Sequence, residues 1–337
     1  MMRFQWFESF LIPTPTFELV REEGPLPVAV ETDVEIYLQE QRTILNKGLS
    51  DLARLAEAGE LDDVELTEIG FNVTPHKAAL PDIARSLKPK VESRLPPIRI
   101  TNMILEVDAR TGFSNAFTHL RTGRSADNKL ALLTAILADG INLGLTRMAD
   151  VSPGLTMRHL AWVHDWHIRE EGYTAAHAIL INAQRNLSLT AIWGDGSTSS
   201  SDGQYFQAGG PGEAIGDLNA RYGSNRGAKF SRFTSDQYGA FHIITMSANA
   251  SEAIHVLDGL LYHSSDLAIE THYVDTGGVS DMGFALCHLL GFQLVPRLRG
   301  PSARARPRTR WHAPCSSIAS ANFATGHSKA SSIAPQA

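Results

Sequence analysis

Two aspartates in the second half of the chain have the type and setting that metal-assisted chemistry requires. Asp202 lies within WGDGSTSSSDGQYF, residues 193–206, and the pattern places it at the start of a predicted strand. Asp275 lies 73 residues later, at the end of the predicted strand IETHYVD, and Thr-Gly-Gly follows it. If these two strands are neighbours, both carboxylates meet at one end of a sheet.

A divalent cation would remove the repulsion between two such carboxylates. Two unit charges about 4 Å apart repel by roughly 4 kcal/mol at an effective dielectric constant of 20. Mg²⁺ prefers carboxylate oxygens and retains several waters, and two metal ions would stabilise the attacking and leaving oxygens of a phosphoryl transfer. Simpler interpretations stay open, because an Asp after a serine run is typical of a turn or helix cap, and an Asp before Thr-Gly-Gly is typical of a strand-end turn.

The elements around these aspartates predict a mixed α/β sheet. From about residue 191 strand patterns dominate, with QYFQA, AKFSRFT and QYGAFHIITMSA in succession. A helix with Ser251 as its N-cap, the strand at 269–275, a helix that ends near Gly291 and the strand FQLVPRL follow. The order β, β, β, α, β, α, β predicts mixed-sheet α/β architecture, in which the three consecutive strands can pair as a meander and the first strand can lie beside the fourth.

The first part of the chain has a different pattern. Residues 1–30 contain several prolines and are predicted to be irregular, and residues 31–190 are predicted to be mainly helical. One exception is IRITNMILEVD, residues 98–108, whose β-branched residues favour a strand. Helices are expected at 34–61, 77–93, 127–149 and 153–190.

Charge is distributed unevenly between the body of the chain and its end. The 337 residues carry a net charge of −6, but residues 300–337 contain five cations and no acid, which leaves −11 for residues 1–299. An acidic body is not typical of a self-sufficient DNA-binding domain, so any DNA contact is expected to be local, metal-assisted or made by a segment outside this sequence. The basic end is rich in Arg, Pro, Ser and Ala and is predicted to be disordered.

The lack of a recognisable targeting signal and of a disulfide framework predicts a cytoplasmic protein. No run of about 18 apolar residues is present, so no membrane span is expected. The first residues lack a signal-peptide pattern. The two cysteines, Cys287 and Cys315, give no disulfide framework.

Five motifs in fixed order carry a family resemblance: WGDGSTSSSDGQYF, RYGSNRG, SDQYGAFH, VLDGLLYHSSDLAIETHYVDTGG and FALCHLLGFQLVPRLR. Together they resemble the catalytic region of the replicative transposases of the Tn-three family, over roughly residues 30–299. The resemblance implies a DDE transposase with an RNase H-like core, which binds terminal inverted repeats, nicks their 3′ ends and joins them to target DNA using Mg²⁺. It implies that Asp202 and Asp275 are catalytic metal ligands, with Asp195 a weaker candidate, and that the intact family forms homodimers.

The third carboxylate of that family is where this sequence departs. The family's Glu lies on a helix well downstream of the PR-x-R segment, whereas here the resemblance stops after Arg299 and Asp281 is the last acidic residue. We therefore expect residues 191–299 to be a partial RNase H-like core of an internal fragment that is inactive in strand transfer. The tail at 300–337 resembles out-of-frame translation. A non-catalytic remnant that oligomerises with or interferes with an intact transposase is the alternative.

Other chemically capable residues favour structural roles. The three histidines of HLAWVHDWHIREE do not share one helical face, so polar partners between helices, or a DNA-facing surface, are favoured over a zinc site. Near Asp275 in sequence, His263 and His272 are expected at most to support the site. A loose basic group is either a solvated strand edge or a set of phosphate contacts. Its members are Arg221, Arg226, Lys229 and Arg232.

The sequence Asp-Thr-Gly at 275–277 is also the motif of aspartic proteases. A single copy would require a homodimer whose two aspartates share a proton. Gly278 replaces the small Ser, Thr or Ala that normally follows this motif, and the long helical region before it fits such a protease poorly. Metal dependence separates the two alternatives, because a protease dyad needs no metal.

Overall fold

The computed structural model describes residues 13–24, 28–61, 64–67, 70–74, 81–208, 217–221, 223–275, 278 and 280–297. The chain divides into two compact units, one formed by Met1–Thr74 with Val279–Ala337 and the other by Pro75–Gly278. Both candidate aspartates belong to the second unit. The tail that was predicted to be disordered, residues 300–337, lies outside the described residues.

The helices and strands follow one another along the described chain in a mixed order. They are α1 (Thr14–Glu23), α2 (Val34–Glu57), β1 (Val64–Thr67), β2 (Gly70–Val73), α3 (Asp82–Glu92), α4 (Ile100–Thr111), α5 (Lys129–Gly140), α6 (Leu145–Asp150), α7 (Met157–His167), α8 (Glu170–Arg185), β3 (Thr198–Gln207), β4 (Gly227–Ser235), β5 (Ala240–Ser247), α9 (Val256–Leu261), β6 (Thr271–Val274), α10 (Asp281–Leu289) and β7 (Gln293–Pro296). Within the described part, no helix is long and apolar enough to cross a membrane.

The first unit contains α1, α2, the antiparallel pair β1–β2, α10 and β7. Residues 1–30 were predicted to be irregular, yet Thr14–Glu23 form a helix, because a proline in the first turn suits a helix start. The predicted helix after residue 34 is confirmed as α2, and the Asp33 side chain caps it. Helix α10 is confirmed as well, and Gly291 with a φ of 85° follows its end as expected.

The helices of the second unit surround an apolar core. Helix α5 is apolar on nearly every side, and the 3-10 turn Phe113–Ala116 adds an aromatic side chain. The long helical stretches predicted at 127–149 and 153–190 are each divided into two helices, α5 with α6 and α7 with α8. The buried core consists of Phe113, Phe117, Ala126, Ala131, Leu132, Leu133, Ala138, Met148, Leu160, Val163 and Ala176.

The prediction of a strand at residues 98–108 is wrong, because helix α4 occupies most of this segment. Ile104 and Val107 lie one turn apart and pack against this core, so tertiary packing overrides the β preference of the neighbouring β-branched residues. Gly112, with a φ of 68°, donates its N–H to the Asp108 carbonyl and ends the helix.

The sheet of the second unit has the strand order β5-β4-β3-β6. The pairs β3–β4 and β4–β5 are antiparallel, whereas β3–β6 is parallel. The three consecutive strands therefore form the meander that the order of elements allows, and the first strand lies beside the fourth. Strand β3 begins at Thr198, earlier than predicted, so Asp202 lies within the strand and not at its start. The serine run adopts β conformation because it pairs with a strand on each side, β4 and β6.

A short helical segment covers one face of this sheet. The predicted helix after Ser251 is a 3-10 turn, Glu252–Ile254, followed by α9, and the Ser251 side chain makes no capping bond. Gly259 of α9 lies so close to the Phe233 ring that a methyl group at this position would overlap it. The close approach of α9 buries Phe233 completely.

Candidate active site

The parallel register of β3 and β6 brings Asp202 and Asp275 to adjacent positions. Ser199 pairs with His272 and Ser201 pairs with Val274, so the next residue on each strand is one of the two aspartates. Neighbouring strands lie about 4.8 Å apart, and residues opposite one another point to the same face. The carboxylates therefore originate from neighbouring points at the carboxyl end of β6.

Exposure alternates along both strands and identifies the face on which the aspartates lie. We call the exposed side the open face and the opposite side, next to α9, the covered face. The open face carries Ser200, Asp202, Gln204, Tyr273 and Asp275, all exposed. On the covered face, Ser199, His272 and Val274 are buried. Both aspartates are thus accessible to a ligand.

The polar contacts of the two aspartates differ. Among the described residues, no hydrogen bond or ion pair involves the Asp202 side chain. Asp275 Oδ1 accepts a hydrogen bond from the Gly278 N–H at 3.0 Å, so the backbone of Gly278 holds this carboxylate. Two adjacent carboxylates provide the hard oxygen donors that Mg²⁺ prefers. The described residues contain no group of three His, Cys, Asp or Glu side chains arranged for a metal ion.

The predicted basic group is divided by the structure. Arg232 of β4 pairs directly with Asp202 in the register and is exposed on the open face. Lys229 has a different role, since its Nζ lies 3.4 Å from Glu252 Oε1 and donates to the Ala250 carbonyl at 3.0 Å. Arg221 and Arg226 are exposed. Arg232 is therefore the member of this group that the strand register places beside Asp202.

His272 is the residue near the site whose contacts were missed in the sequence. Its ring is completely buried, with Nδ1 2.7 Å from Ser199 Oγ and Nε2 3.0 Å from Ser201 Oγ. It stacks on Phe233 at a centroid distance of 5.4 Å. Burial lowers the pKa of His272 to about 4. The alternating serines of β3 could have indicated a polar partner on the covered face. That partner can be identified as His272 only when the register of β3 and β6 is known.

Asp195 is a turn residue ahead of β3. Its Oδ1 accepts a hydrogen bond from the Ser197 N–H at 2.9 Å. Hydrogen bonds from the side chain and backbone of Ser197 lower the pKa of this exposed carboxyl. These contacts account for Asp195 without a metal.

The three histidines of α7 have separate partners. His159 takes part in the capping box at the start of the helix. His164 Nε2 lies 3.4 Å from Asp139 Oδ2, and His167 Nδ1 lies 3.3 Å from the Phe117 carbonyl. The expectation of polar partners between packed elements is confirmed for His164 and His167. His263, by contrast, contacts Ser265 Oγ at 3.0 Å and the Phe241 ring.

Comparison with known proteins identifies close relatives of the chain. The family described as Tn3 transposase DDE domain matches residues 102–320. The chain is 48% identical over 297 residues to the transposase for transposon Tn501 of Pseudomonas aeruginosa and 46% identical over 297 residues to that for Tn21 of Escherichia coli. Each alignment covers 88% of this chain and 30% of the relative.

A more distant relative extends the comparison to another bacterium. The transposase for transposon Tn1546 of Enterococcus faecium is 38% identical over 295 residues, which cover 87% of this chain and 29% of that protein. The chain thus spans about 30% of the length of these relatives. Because the family match covers well over half of the 337 residues, the chain belongs to the Tn3 transposase DDE domain family.

Proposed function

We propose that this chain contains part of a DNA-cleaving and DNA-joining site, in which Asp202 and Asp275 bind Mg²⁺ and act on the ends of a transposon. The observation that carries the proposal is the parallel register of β3 and β6, which puts two exposed carboxylates at adjacent positions. Membership of a transposase family supplies the reaction class. The β3–β6 sheet with its flanking helices is, in this proposal, a partial RNase H-like core.

Three residues of the open face would have different roles in such a site. A bound divalent cation supplies charge stabilisation at the reacting phosphate. Asp202 and Asp275 hold that cation from two neighbouring strands. Arg232, on the strand across from Asp202, provides a cation for a non-bridging phosphate oxygen. The exposure of this face leaves room for a DNA backbone.

The partners of this site would be the terminal inverted repeats of a transposon and its target DNA. A chain with a net charge of −6 does not attract DNA over its whole surface, so binding depends on local cations and metal. Homodimerisation, which aligns two transposon ends, belongs to the same proposal. Each of these partners is inferred from the family.

The number of carboxylates available near Asp202 and Asp275 determines the activity that we expect from the chain alone. Asp281 is the last acidic residue of the 337, and it follows Asp275 by only six positions. Glu252 lies against Gly203 on the covered face and pairs with Lys229, so it does not join the two aspartates. We therefore propose that the purified chain binds metal but does not join DNA strands.

Metal titration tests the site directly. Mn²⁺ binding to the full chain, followed by electron paramagnetic resonance, is expected to weaken at least about 10-fold in Asp202→Asn and in Asp275→Asn, since each removes an anionic ligand. Asp195→Asn is the matched control, because that carboxylate caps a turn. Unchanged Mn²⁺ affinity in both site variants would overturn the proposed metal site.

A strand-transfer assay tests the proposed inactivity. The purified chain is incubated with Mg²⁺, an oligonucleotide that ends in a Tn3-type inverted repeat, and a target plasmid. We expect no joined product under these conditions. Mg²⁺-dependent joining that Asp202→Asn abolishes would contradict the proposed inactivity and support the metal site.

A further inference from the structure

A buried histidine links β3, which contains Asp202, to β6, which Asp275 follows directly. His272 belongs to β6, and both of its ring nitrogens contact β3: Nδ1 lies 2.7 Å from Ser199 Oγ and Nε2 lies 3.0 Å from Ser201 Oγ. Its ring is fully buried and stacks on Phe233 at an interplanar angle of 24°. Both nitrogens are therefore used within the sheet.

The chemistry of these contacts requires a neutral ring with two different roles. In a neutral imidazole one nitrogen donates and the other accepts, and a serine hydroxyl can do either. One serine therefore donates to the ring and the other accepts from it. Burial lowers the pKa of His272 to about 4, which keeps the ring neutral near physiological pH.

The positions of the two serines connect this arrangement to the aspartates. Ser201 directly precedes Asp202, and His272 precedes Asp275 by three residues. The β3–β6 ladder is short, with four paired positions from Thr198–Thr271 to Ser201–Val274. A slip of one residue between paired strands moves side chains to the opposite face. Such a slip would separate the two carboxylates.

We propose that His272 is a positioning residue: by bonding to Ser199 and Ser201 at once, it holds β3 and β6 in the register that sets Asp202 beside Asp275. The inference rests on the proposed metal site, which it deepens. His272 itself lies on the covered face and touches neither the metal nor DNA.

Two isosteric substitutions separate the two hydrogen bonds. The amide of His272→Asn occupies the place of Nδ1 and retains the contact with Ser199, whereas that of His272→Gln occupies the place of Nε2 and retains the contact with Ser201. Since Ser201 adjoins Asp202, the glutamine variant is expected to preserve the site better. A role in general stability alone would not favour glutamine over asparagine.

The experiment measures the Mn²⁺ affinity of the full chain by electron paramagnetic resonance. Loss of an outer partner typically weakens metal binding by about 10- to 100-fold, which is the effect expected for His272→Asn. His272→Gln is expected to stay within about 10-fold of the unmodified chain, since the hydrogen bond that it loses is the one to Ser199, while the contact with Ser201 beside Asp202 is retained. Thr245→Ala, on the outer strand β5, is the control, because Thr245 is exposed and pairs with neither aspartate's neighbours.

Distinct outcomes overturn the inference and the proposed function. If Asp202→Asn weakens Mn²⁺ binding while both His272 variants bind as tightly as the unmodified chain, the positioning role is wrong. If Asp202→Asn has no effect, the proposed metal site fails first. Circular dichroism reports whether the variants fold. Should both His272 variants unfold, Ser201→Ala decides, because unchanged Mn²⁺ affinity in this variant also contradicts the role.

Discussion

The covered and open faces of the sheet are formed by alternate residues of the same strands, but their environments are opposite. On the covered face, His272 and Phe233 are fully buried, and both ring nitrogens of the histidine are hydrogen-bonded. On the open face, Asp202 and Tyr273 are exposed. Successive residues of one short strand therefore serve different purposes, since His272 packs and Tyr273 meets solvent.

This difference separates stability from function along the chain. A side chain on the covered face contributes buried area and satisfied hydrogen bonds, so its loss costs stability. A side chain on the open face contributes little to either, so its loss should cost little stability, and in the proposed site it would weaken metal binding instead. Substitutions on the two faces test whether this division holds.

The largest expected effect is that of Phe233→Ala. The ring is 0% exposed and contacts His272 and Gly259, so its removal should lower the free energy of unfolding by about 3–5 kcal/mol. Phe206→Ala is the control, because Phe206 is 48% exposed. Urea denaturation followed by circular dichroism measures both. Equal losses would contradict the division between the faces.

Acidification should destabilise the covered face. The pKa of His272 is lowered by burial to about 4, below its ordinary 6.5, so between these values the unfolded chain binds a proton that the folded chain excludes. The free energy of unfolding is therefore expected to fall by up to about 3 kcal/mol as the pH decreases from 6.5 to 4. Burial also lowers the pKa of His177, His242 and His263, with the same sign.

Thermal and urea unfolding across this pH range check the expectation. His272→Gln removes the titrating ring, so its stability should depend less steeply on pH than that of the unmodified chain. An identical pH dependence in the two proteins would show that His272 does not contribute.

A smaller loss is expected from filling the gap between α9 and the sheet. Gly259→Ala places a methyl group against the Phe233 ring, and such overpacking typically costs about 1–3 kcal/mol. Gly140→Ala is the control, because nothing lies within 4 Å of the added methyl group at the end of α5. Urea denaturation should show a loss for Gly259→Ala alone.

The smallest effect is expected on the open face. Ile243 is 53% exposed and pairs with Arg232. Ile243→Thr keeps a β-branched side chain, so the free energy of unfolding should change by no more than about 0.5 kcal/mol. A loss as large as that of Gly259→Ala in the same denaturation experiment would show that this face is also packed.

The sequence predicted the order of the strands because their apolar patterns and turn residues are local signals. It allowed β3 and β6 to be neighbours, since a helical crossover can return the fourth strand to the side of the first, and the structure has this arrangement. The family membership came from long motifs in fixed order. The roles of Asp202 and Asp275 stay predictions, although the register gives them adjacent positions.

The features that escaped prediction depend on contacts between distant residues. Helix α4 contains β-branched residues, and its helical state follows from packing of Ile104 and Val107 in the core. The serine run joins β3 because β4 and β6 pair with it on both sides. The His272 ring contacts Ser199, which is 73 positions away in the sequence. No local pattern contains such information.

The central position of β3 has a kinetic consequence. Strand β6 pairs with all four residues of Thr198–Ser201, and β4 pairs on the other side from Ser199 onwards. Opening this stretch to solvent requires detachment from two neighbours, so its amide protons should exchange with deuterated water among the slowest in this unit. The backbone that leads into Asp202 would then keep its shape through the fluctuations that open the sheet's outer strand.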